Sequence, residues 1–263
     1  MLALAVTTAF LLLPVLAIFL EVPPRELLEQ LGSDVAVDAL VVTLKTSLIA
    51  HVLIVGFGTP SAYLLATRRF RGRALVITLL ELPLVLPPAV AGIALLVAFG
   101  RQGLLGGTLE AAGIEIAFTQ LAVILAITFV ASPFYLRAAI AAFESVDEAL
   151  LDASRTLGAG PARTFVRVAL PLAAGGLSAG SAIAFARGIG EFGATIMFAG
   201  SLQGVTQTVS LAIYQEFDVN LDVALAISAL LVVVSGALLL SVKVVSARAP
   251  SGWTSPPRFA RSG

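Results

Sequence analysis

Three charged side chains lie inside long apolar segments of the chain: Glu81, Arg187 and Glu191. Near the centre of a bilayer, each such charge costs roughly 2.5–3.5 kcal/mol on insertion scales. Arg187 and Glu191 are four residues apart, so on a helix they would share one face. The pair is therefore either a neutralised structural contact within a helix bundle or a polar contact beside a permeation route.

Few other residues offer chemistry for catalysis or metal binding. The chain has no cysteine and one histidine, His51, which excludes disulfides, thiolate sites, cysteine nucleophiles and most histidine clusters. We interpret His51 as a bundle residue with satisfied polar atoms rather than a ligand. The phosphate-binding pattern G-x-x-x-x-G-K-[ST] is also missing, so the chain is not an ATP-hydrolysing subunit. We expect no catalytic residue and no metal site.

The segment after Glu81 contains three prolines, Pro83, Pro87 and Pro88. Proline frees a backbone carbonyl and distorts a helix, so we expect a kinked span. A kink of this kind serves either packing or the formation of a gate. Glu81 itself needs a polar partner or a water-filled neighbour.

The composition places these residues in a membrane protein. Hydrophobic residues make up 59% of the 263 residues, charged residues 12%, and the mean hydropathy is +1.02; a soluble domain has about 25% charged residues. Six segments are long and apolar enough to cross a bilayer, namely 2–20, 46–66, 74–99, 117–136, 173–198 and 223–245. The first lacks a basic start and exceeds the usual signal-peptide core, so we favour a retained anchor over a cleaved signal.

We expect one all-α transmembrane domain over residues 1–248 and a disordered cytoplasmic tail over 249–263, which is polar and rich in Pro, Ser and Arg. Residues 23–42 are predicted to form an external interfacial helix. No internal repeat is evident, which weakens the case for an inverted-repeat secondary transporter.

Basic residues set the orientation of the spans. Twelve of the sixteen fall on one side of the predicted topology: Arg68, Arg69, Arg71, Arg73, Arg137, Arg155, Arg163, Arg167, Lys243, Arg248, Arg258 and Arg261. That side is predicted to be cytoplasmic, so both termini and the loop over about 138–172 are predicted to lie in the cytoplasm.

The cytoplasmic loop carries the signals of two short helices. Ser145 can cap a first helix that ends at Leu157, since Gly158 suits the left-handed position after a helix. Pro161 can start a second helix that continues to about 168. Leu170-Pro171 is predicted to break the chain before the fifth span. By itself, such a loop could be a solvated helical hairpin.

This loop resembles the E-A-A-x3-G-x9-I-x-L-P motif in the inner-membrane permeases of binding-protein-dependent ABC importers. The spacing matches throughout, and the residues that carry the match are Asp152, Ala153, Ser154, Gly158, Val168, Leu170 and Pro171. Asp152, Ser154 and Val168 replace the motif's Glu, Ala and Ile. The resemblance implies that these residues, with Leu157, form a coupling helix that fits a groove on a cytoplasmic ATPase.

The resemblance covers spans two to six and implies the type I ABC importer permease fold. It implies a prokaryotic cytoplasmic-membrane protein that is not itself an enzyme. Its partners would be a second permease copy, two ATPase subunits that bind ATP and Mg²⁺, and an external oxyanion-binding protein, with no nucleic acid involved. In this family, the region around Glu81, Pro83 and Pro87 lies along the central pathway.

Residues 190–200 and 206–214 resemble the molybdate branch of the family, with related segments in sulfate and tungstate permeases. Polar residues there could hydrogen-bond an oxyanion or hold an external loop in place: Thr195, Ser201, Thr206, Gln207 and Thr208. Arg187 and Glu191 are the further pathway candidates. Two alternatives remain open from other classes, an ATP-independent channel or secondary carrier and a membrane-embedded enzyme.

Overall fold

The computed structural model describes residues 1–21 and 23–248, and every regular element in these ranges is helical. The predicted tail lies outside the described residues. The helices are α1 Leu2–Glu21, α2 Pro24–Gln30, α3 Asp34–Thr67, α4 Arg73–Glu81, α5 Pro88–Phe99, α6 Gly106–Ala111, α7 Gln120–Glu144, α8 Glu148–Thr156, α9 Pro161–Thr164, α10 Leu170–Ile189, α11 Gly193–Ala199, α12 Val209–Val219 and α13 Leu221–Arg248.

Five uninterrupted helices in the described residues are long and apolar enough to cross a membrane, and one bent pair makes a sixth candidate span. In that pair, Arg73–Leu84 and Pro88–Phe99 meet at 110°. The predicted kink over 74–99 is therefore a full break. Pro87 and Pro88 have no N–H to continue the helical hydrogen bonds, and Pro88 instead starts α5, where a missing N–H costs nothing.

Helix α7 forms the centre of the bundle, and its contacts with α3 and α10 are the most extensive between any two helices in the described residues. Small residues allow this approach: a Cβ added at Gly180 would lie only 2.5 Å from the Cβ of Ala138. Hydroxyl groups join the same helices. The hydroxyls of Thr59 and Tyr135 are 2.6 Å apart, and Nε2 of His51 lies 2.7 Å from the Ser181 hydroxyl.

Helix α1 is largely unpacked within the described residues. None of its residues is buried, and it meets the rest of the bundle mainly at α13, through Ile18 and Phe19 near Ala226 and Ala229. The predicted first span is confirmed as a helix, and the other described residues leave most of its apolar surface uncovered.

Two predicted boundaries are wrong. The second span starts at Asp34 rather than at 46, because the hydroxyl of Ser33 accepts a hydrogen bond from the N–H of Ala36 and caps α3 there. Residues 35–42 thus continue α3, and only α2 is a separate helix within the range 23–42. The fourth span also extends beyond 136, since α7 continues to Glu144.

The fifth span also differs from the prediction. Residues Pro161–Ile189 form one helix, so Leu170-Pro171 does not break the chain. A π-turn over Phe165–Ala169 precedes the proline, and the N–H of Leu170 bonds to the carbonyl of Phe165, five residues back. The wider turn accommodates a proline that would clash with the preceding turn of a regular α-helix. At its other end the span stops at Ile189, and α11 begins separately at Gly193.

Candidate functional site

The first candidate element is α8, a short exposed helix at the end of the bundle where α3 and α7 finish. A carboxylate oxygen of Asp147 accepts a hydrogen bond of 2.9 Å from the N–H of Ala149 and caps the helix. The predicted cap, Ser145, instead donates its hydroxyl proton to the carbonyl of Ala142 and closes α7. The cap of α8 therefore lies two residues later than predicted.

The C-terminus of α8 has the geometry that its sequence predicts. Gly158 has φ of +82°, a backbone conformation that costs other residues energy. Its N–H bonds to the carbonyl of Arg155 at 3.0 Å, and the N–H of Ala159 bonds to the carbonyl of Ser154 at 3.1 Å. These two bonds form a Schellman motif, which stops the helix and satisfies its last carbonyls.

One side of α8 is buried and the other is free. Leu151 packs into the core with Phe143 and Ala169, whereas Leu157 is 88% exposed. Asp152 and Ala153 are also exposed, and Asp152 forms an ion pair of 2.8 Å with Arg155 in the same helix. The outward side of α8 thus exposes the apolar side chain of Leu157 next to the smaller side chains of Asp152 and Ala153.

The fifth span is directly attached to α8. The hydroxyls of Ser154 and Thr164 are 3.1 Å apart, and Thr164 is fully buried. Thr164 belongs to the same continuous helix as half-buried Leu170 and exposed Pro171. This contact links α8 to a helix of 29 residues, about 43 Å long at 1.5 Å per residue.

Glu81 and Pro83 lie at the bend of the third span. Glu81 is the last residue of α4 and is 3.9 Å from Nε of Arg137 on α7. Pro83 is half-buried in a 3₁₀ turn, and Pro87 precedes the first residue of α5. Glu81 thus has its expected polar partner, although both side chains are partly exposed.

Arg187 and Glu191 lie at the interruption of the fifth span. Arg187 is in the last turn of α10, and Glu191 lies past the helix end, in the gap before α11. Nη1 of Arg187 is 2.7 Å from Oε2 of Glu191. The other oxygen, Oε1, accepts a hydrogen bond of 2.8 Å from the N–H of Ala194. The carboxylate therefore connects α10 to α11, rather than two positions of one helix.

The two interrupted spans restart side by side. A Cβ added at Gly193 would lie 2.6 Å from the Cβ of Pro88, and one added at Gly92 would lie 2.5 Å from the carbonyl oxygen of Ala194. These contacts require glycine, since atoms cannot approach so closely without displacement. They hold α5 and α11 together as one tightly packed unit.

The remaining polar candidates are buried. Thr195 on α11 and Thr206, Gln207 and Thr208 before α12 are each at most 4% exposed. Thr206 accepts the N–H of Leu202, Gln207 donates to the side chain of Gln215, and the neighbouring N–H of Val209 donates to Thr43. Thr206 and Gln207 thus support the loop from within, whereas the hydroxyls of Thr195 and Thr208 have no hydrogen-bond partner among the described residues.

The structure gathers most of the predicted residues into two places, whereas Glu81 and Pro83 lie at the bend of the third span and Thr206, Gln207 and Thr208 lie in the loop before α12. Asp152, Ala153, Ser154, Leu157 and Gly158 lie on α8 and its stop, with Leu170 and Pro171 in the attached helix; Pro87, Arg187, Glu191 and Thr195 surround the restart of two spans. Sequence reasoning missed Asp147, Thr164, Gly92 and the contact of Pro88 with Gly193. Asp147 was detectable as a cap, but the others depend on tertiary contacts.

Comparison with known proteins places this geometry in a family. Residues 54–248 match the family described as binding-protein-dependent transport system inner membrane component. The chain is 44% identical over 243 residues to the molybdenum transport system permease protein ModB of Mycobacterium bovis, covering 92% of this chain and 91% of that protein. It is 33% identical over 216 residues to a probable sulfate transport system permease protein cysT of Nephroselmis olivacea, covering 82% and 76%.

Solved structures show the same fold at lower identity. A bacterial ABC transporter involved in the import of alginate aligns with a TM-score of 0.70 at 16% identity, over 94% of each chain. The alginate transporter in complex with an alginate-bound periplasmic protein aligns at 0.66, over 94% of this chain and 93% of that one.

The spans, the capped α8 and the family match agree, and the predicted type I ABC importer permease fold is confirmed. The chain is a multi-pass membrane protein that belongs to the family of binding-protein-dependent transport system inner membrane components.

Proposed function

We propose that this chain is the permease subunit of an ABC importer that carries molybdate across the cytoplasmic membrane. The observation that supports it best is the direct connection of α8 to the fifth span, whose far end holds Arg187 and Glu191. The name of the Mycobacterium bovis relative supports molybdate as the substrate.

ATP hydrolysis in this proposal belongs to two partner subunits, which bind ATP and Mg²⁺. The outward side of α8 exposes Leu157 beside Asp152 and Ala153. In each permease copy this side fits into a groove on one ATPase subunit. Four arginines in the adjacent loop, Arg68, Arg69, Arg71 and Arg73, support a cytoplasmic position for this end of the bundle. Both termini are then cytoplasmic.

A second copy of the chain completes the pathway. Each copy leaves the apolar surface of α1 uncovered, and Leu75, Leu79 and Val85 around the bend of the third span are also exposed. Apolar surface in a membrane is covered by lipid or by another helix. Of these two surfaces, that of the interrupted third span is better suited than that of α1 to line a route between two copies. An external binding protein delivers the anion to that route.

The proposed cycle moves α8 with the closing ATPase subunits. Because α9, the π-turn and α10 form one helix, the displacement reaches the gap between Ile189 and Gly193. The unit of α5 and α11 resists deformation because its glycine contacts are tight. The angle between α10 and this unit is therefore the quantity that α8 controls, and Glu81, Pro83 and Pro87 allow the third span to follow.

A dianion is expensive to desolvate, so its contacts along the route must be favourable but short-lived. Tungstate and sulfate are the alternative substrates. The similarity to a probable sulfate permease supports sulfate among them. The alternative from another class of transporter is a channel or secondary carrier, which differs from the proposal in that it needs no ATPase.

The test is uptake of radiolabelled molybdate by cells that express the permease and binding protein with or without the cognate ATPase. The proposal predicts uptake only with the ATPase and co-purification of ATPase subunits with the permease. Equal uptake without the ATPase would establish a channel or carrier. Competition by unlabelled tungstate or sulfate that exceeds competition by molybdate would reassign the cargo.

A further inference from the structure

We propose that Arg187 is a transient binding site for the permeating oxyanion and that Glu191 is a built-in competing anion that keeps this site weak. The inference rests on the proposed function for the identity of the ligand, a tetrahedral dianion such as molybdate. It adds a specific site and a physical reason for the acid–base pair at the interruption of the fifth span.

Arg187 is held in place by Glu191, but not all of its hydrogen-bond donors are engaged. Its side chain is 30% exposed, whereas that of Glu191 is 1% exposed. Nη1 is 2.7 Å from Oε2 of Glu191, but among the described residues that oxygen receives no aligned hydrogen bond. A guanidinium group has five N–H donors in a planar fork that suits oxyanions. Among the described residues Glu191 is the one charged partner of Arg187, so most of these donors remain available to a ligand.

The surface of α10 next to Arg187 is open among the described residues. Gly190, three residues on and at the end of α10, is exposed, and a Cβ added there would approach nothing closer than 3.9 Å. Gly188, by contrast, faces α7, where an added Cβ would lie 2.9 Å from Ile127. The guanidinium group is thus near the open side of α10 rather than its packed side.

Glu191 stays in position whether or not Arg187 engages another anion. Its Oε1 is held by the N–H of Ala194 at 2.8 Å, which ties the carboxylate to the packed unit of α5 and α11. The carboxylate therefore does not need to move when an oxyanion arrives. The guanidinium group can be shared between a fixed internal anion and a mobile external one.

The pairing of Arg187 with Glu191 limits both the energetic cost of the empty site and the affinity of the site for a dianion in a medium of low dielectric constant. A lone buried arginine would be costly when empty and would retain a dianion strongly, because attraction between charges grows as the dielectric constant falls. A carboxylate in contact with the guanidinium group neutralises the empty site and repels the bound dianion. The site is then attractive enough to guide the anion and weak enough to release it.

The test compares binding and turnover in the permease–ATPase complex in nanodiscs and proteoliposomes. Glu191→Gln keeps the shape and the acceptor for Ala194 but removes the charge. We expect it to bind radiolabelled molybdate about tenfold more tightly without the binding protein and to transport it more slowly at saturating binding protein. Arg187→Gln should abolish binding, and Arg187→Lys, which keeps the charge without the planar fork, should weaken it.

Glu110→Gln is the matched control, because it removes a carboxylate from the exposed pair that Glu110 forms with Arg101 at 3.5 Å. It should change neither binding nor turnover. A purely structural pair would slow transport in Glu191→Gln and Arg187→Gln alike, with molybdate binding unchanged in both, and would overturn the inference. Molybdate transport by the wild type in that case leaves the proposed function intact, whereas failure of the wild type to transport molybdate rejects the proposed function itself.

Discussion

Helix α8 and the interruption of the fifth span lie next to opposite ends of the Pro161–Ile189 helix and are stabilised in opposite ways. Helix α8 is capped at both ends by hydrogen bonds between residues at most five apart in sequence, from Asp147 and around Gly158. The interruption depends instead on a buried carboxylate and on contacts with α5. A helix that is stabilised by its own sequence, such as α8, can move as a unit and suits a docking surface. A segment that is held by tertiary packing, such as the interruption, suits a fixed point against which other helices move.

The largest effect is expected from removing the charge partner of Glu191. Arg187→Ala leaves a buried carboxylate without a counterion, which costs about 3–5 kcal/mol. Arg101→Ala removes an exposed side chain from surface pairs with Glu110 and Glu115 and should cost at most about 1 kcal/mol. Thermal unfolding of both variants in detergent measures the difference. Equal midpoints would show that the interruption does not depend on this pair.

The contact between α5 and α11 gives the second largest effect. Gly92→Ala places a Cβ 2.5 Å from the carbonyl oxygen of Ala194, and overpacking of this kind costs about 1–3 kcal/mol. Gly56→Ala is the control, because Gly56 lies in α3 with nothing within 4 Å of an added Cβ, so it should be neutral or stabilising. A melting temperature of Gly92→Ala at or above that of Gly56→Ala would contradict the rigid unit.

At the other end of the helix, Gly158→Val should damage coupling more than folding. Valine at φ of +82° is strained by about 1–2 kcal/mol, so the stop of α8 should shift. Gly160→Val is the control, since Gly160 is extended, precedes a proline and has open space around it. The measurement is ATP hydrolysed per molybdate transported, which should rise only in Gly158→Val. Unchanged molybdate uptake by that variant would reject the coupling role of α8.

The smallest effect is expected where α8 joins the fifth span. Ser154→Ala removes the hydroxyl that lies 3.1 Å from that of buried Thr164, at a cost of about 1 kcal/mol. Ser178→Ala is the control, because its hydroxyl bonds within α10 to Gly175 on an exposed surface. A modest loss of coupling in Ser154→Ala alone would support a direct mechanical link, while identical transport-coupled hydrolysis in both variants would argue against it.

The same comparison explains which features the sequence could predict. Gly158 and Pro161 act on their immediate neighbours, so the end of α8 and the start of α9 are predictable from residue types. Ser145 was misassigned because α7 continues up to it, and its hydroxyl closes that helix instead. Pro171 was misassigned because a π-turn, which has no sequence signature of its own, accommodates it.

The interruption at Gly190–Phe192 was not predictable from local sequence. Apart from Arg187 and Glu191, residues 173–198 are apolar or small, a pattern that also fits an unbroken span. The break is fixed by Pro88 and Gly92 from a distant part of the chain, which contact α11. The sequence therefore predicted the Arg187–Glu191 pair but not that it bridges two helices.

The most direct test of the account is ATP hydrolysis by the permease reconstituted in proteoliposomes with its cognate ATPase and binding protein. The account predicts that molybdate-loaded binding protein stimulates hydrolysis and uptake together, and that Gly158→Val separates the two. Stimulation by sulfate but not by molybdate would contradict the proposed cargo. Uptake that proceeds without hydrolysis, or that is unaffected by Gly158→Val, would contradict the central claim that α8 drives the fifth span.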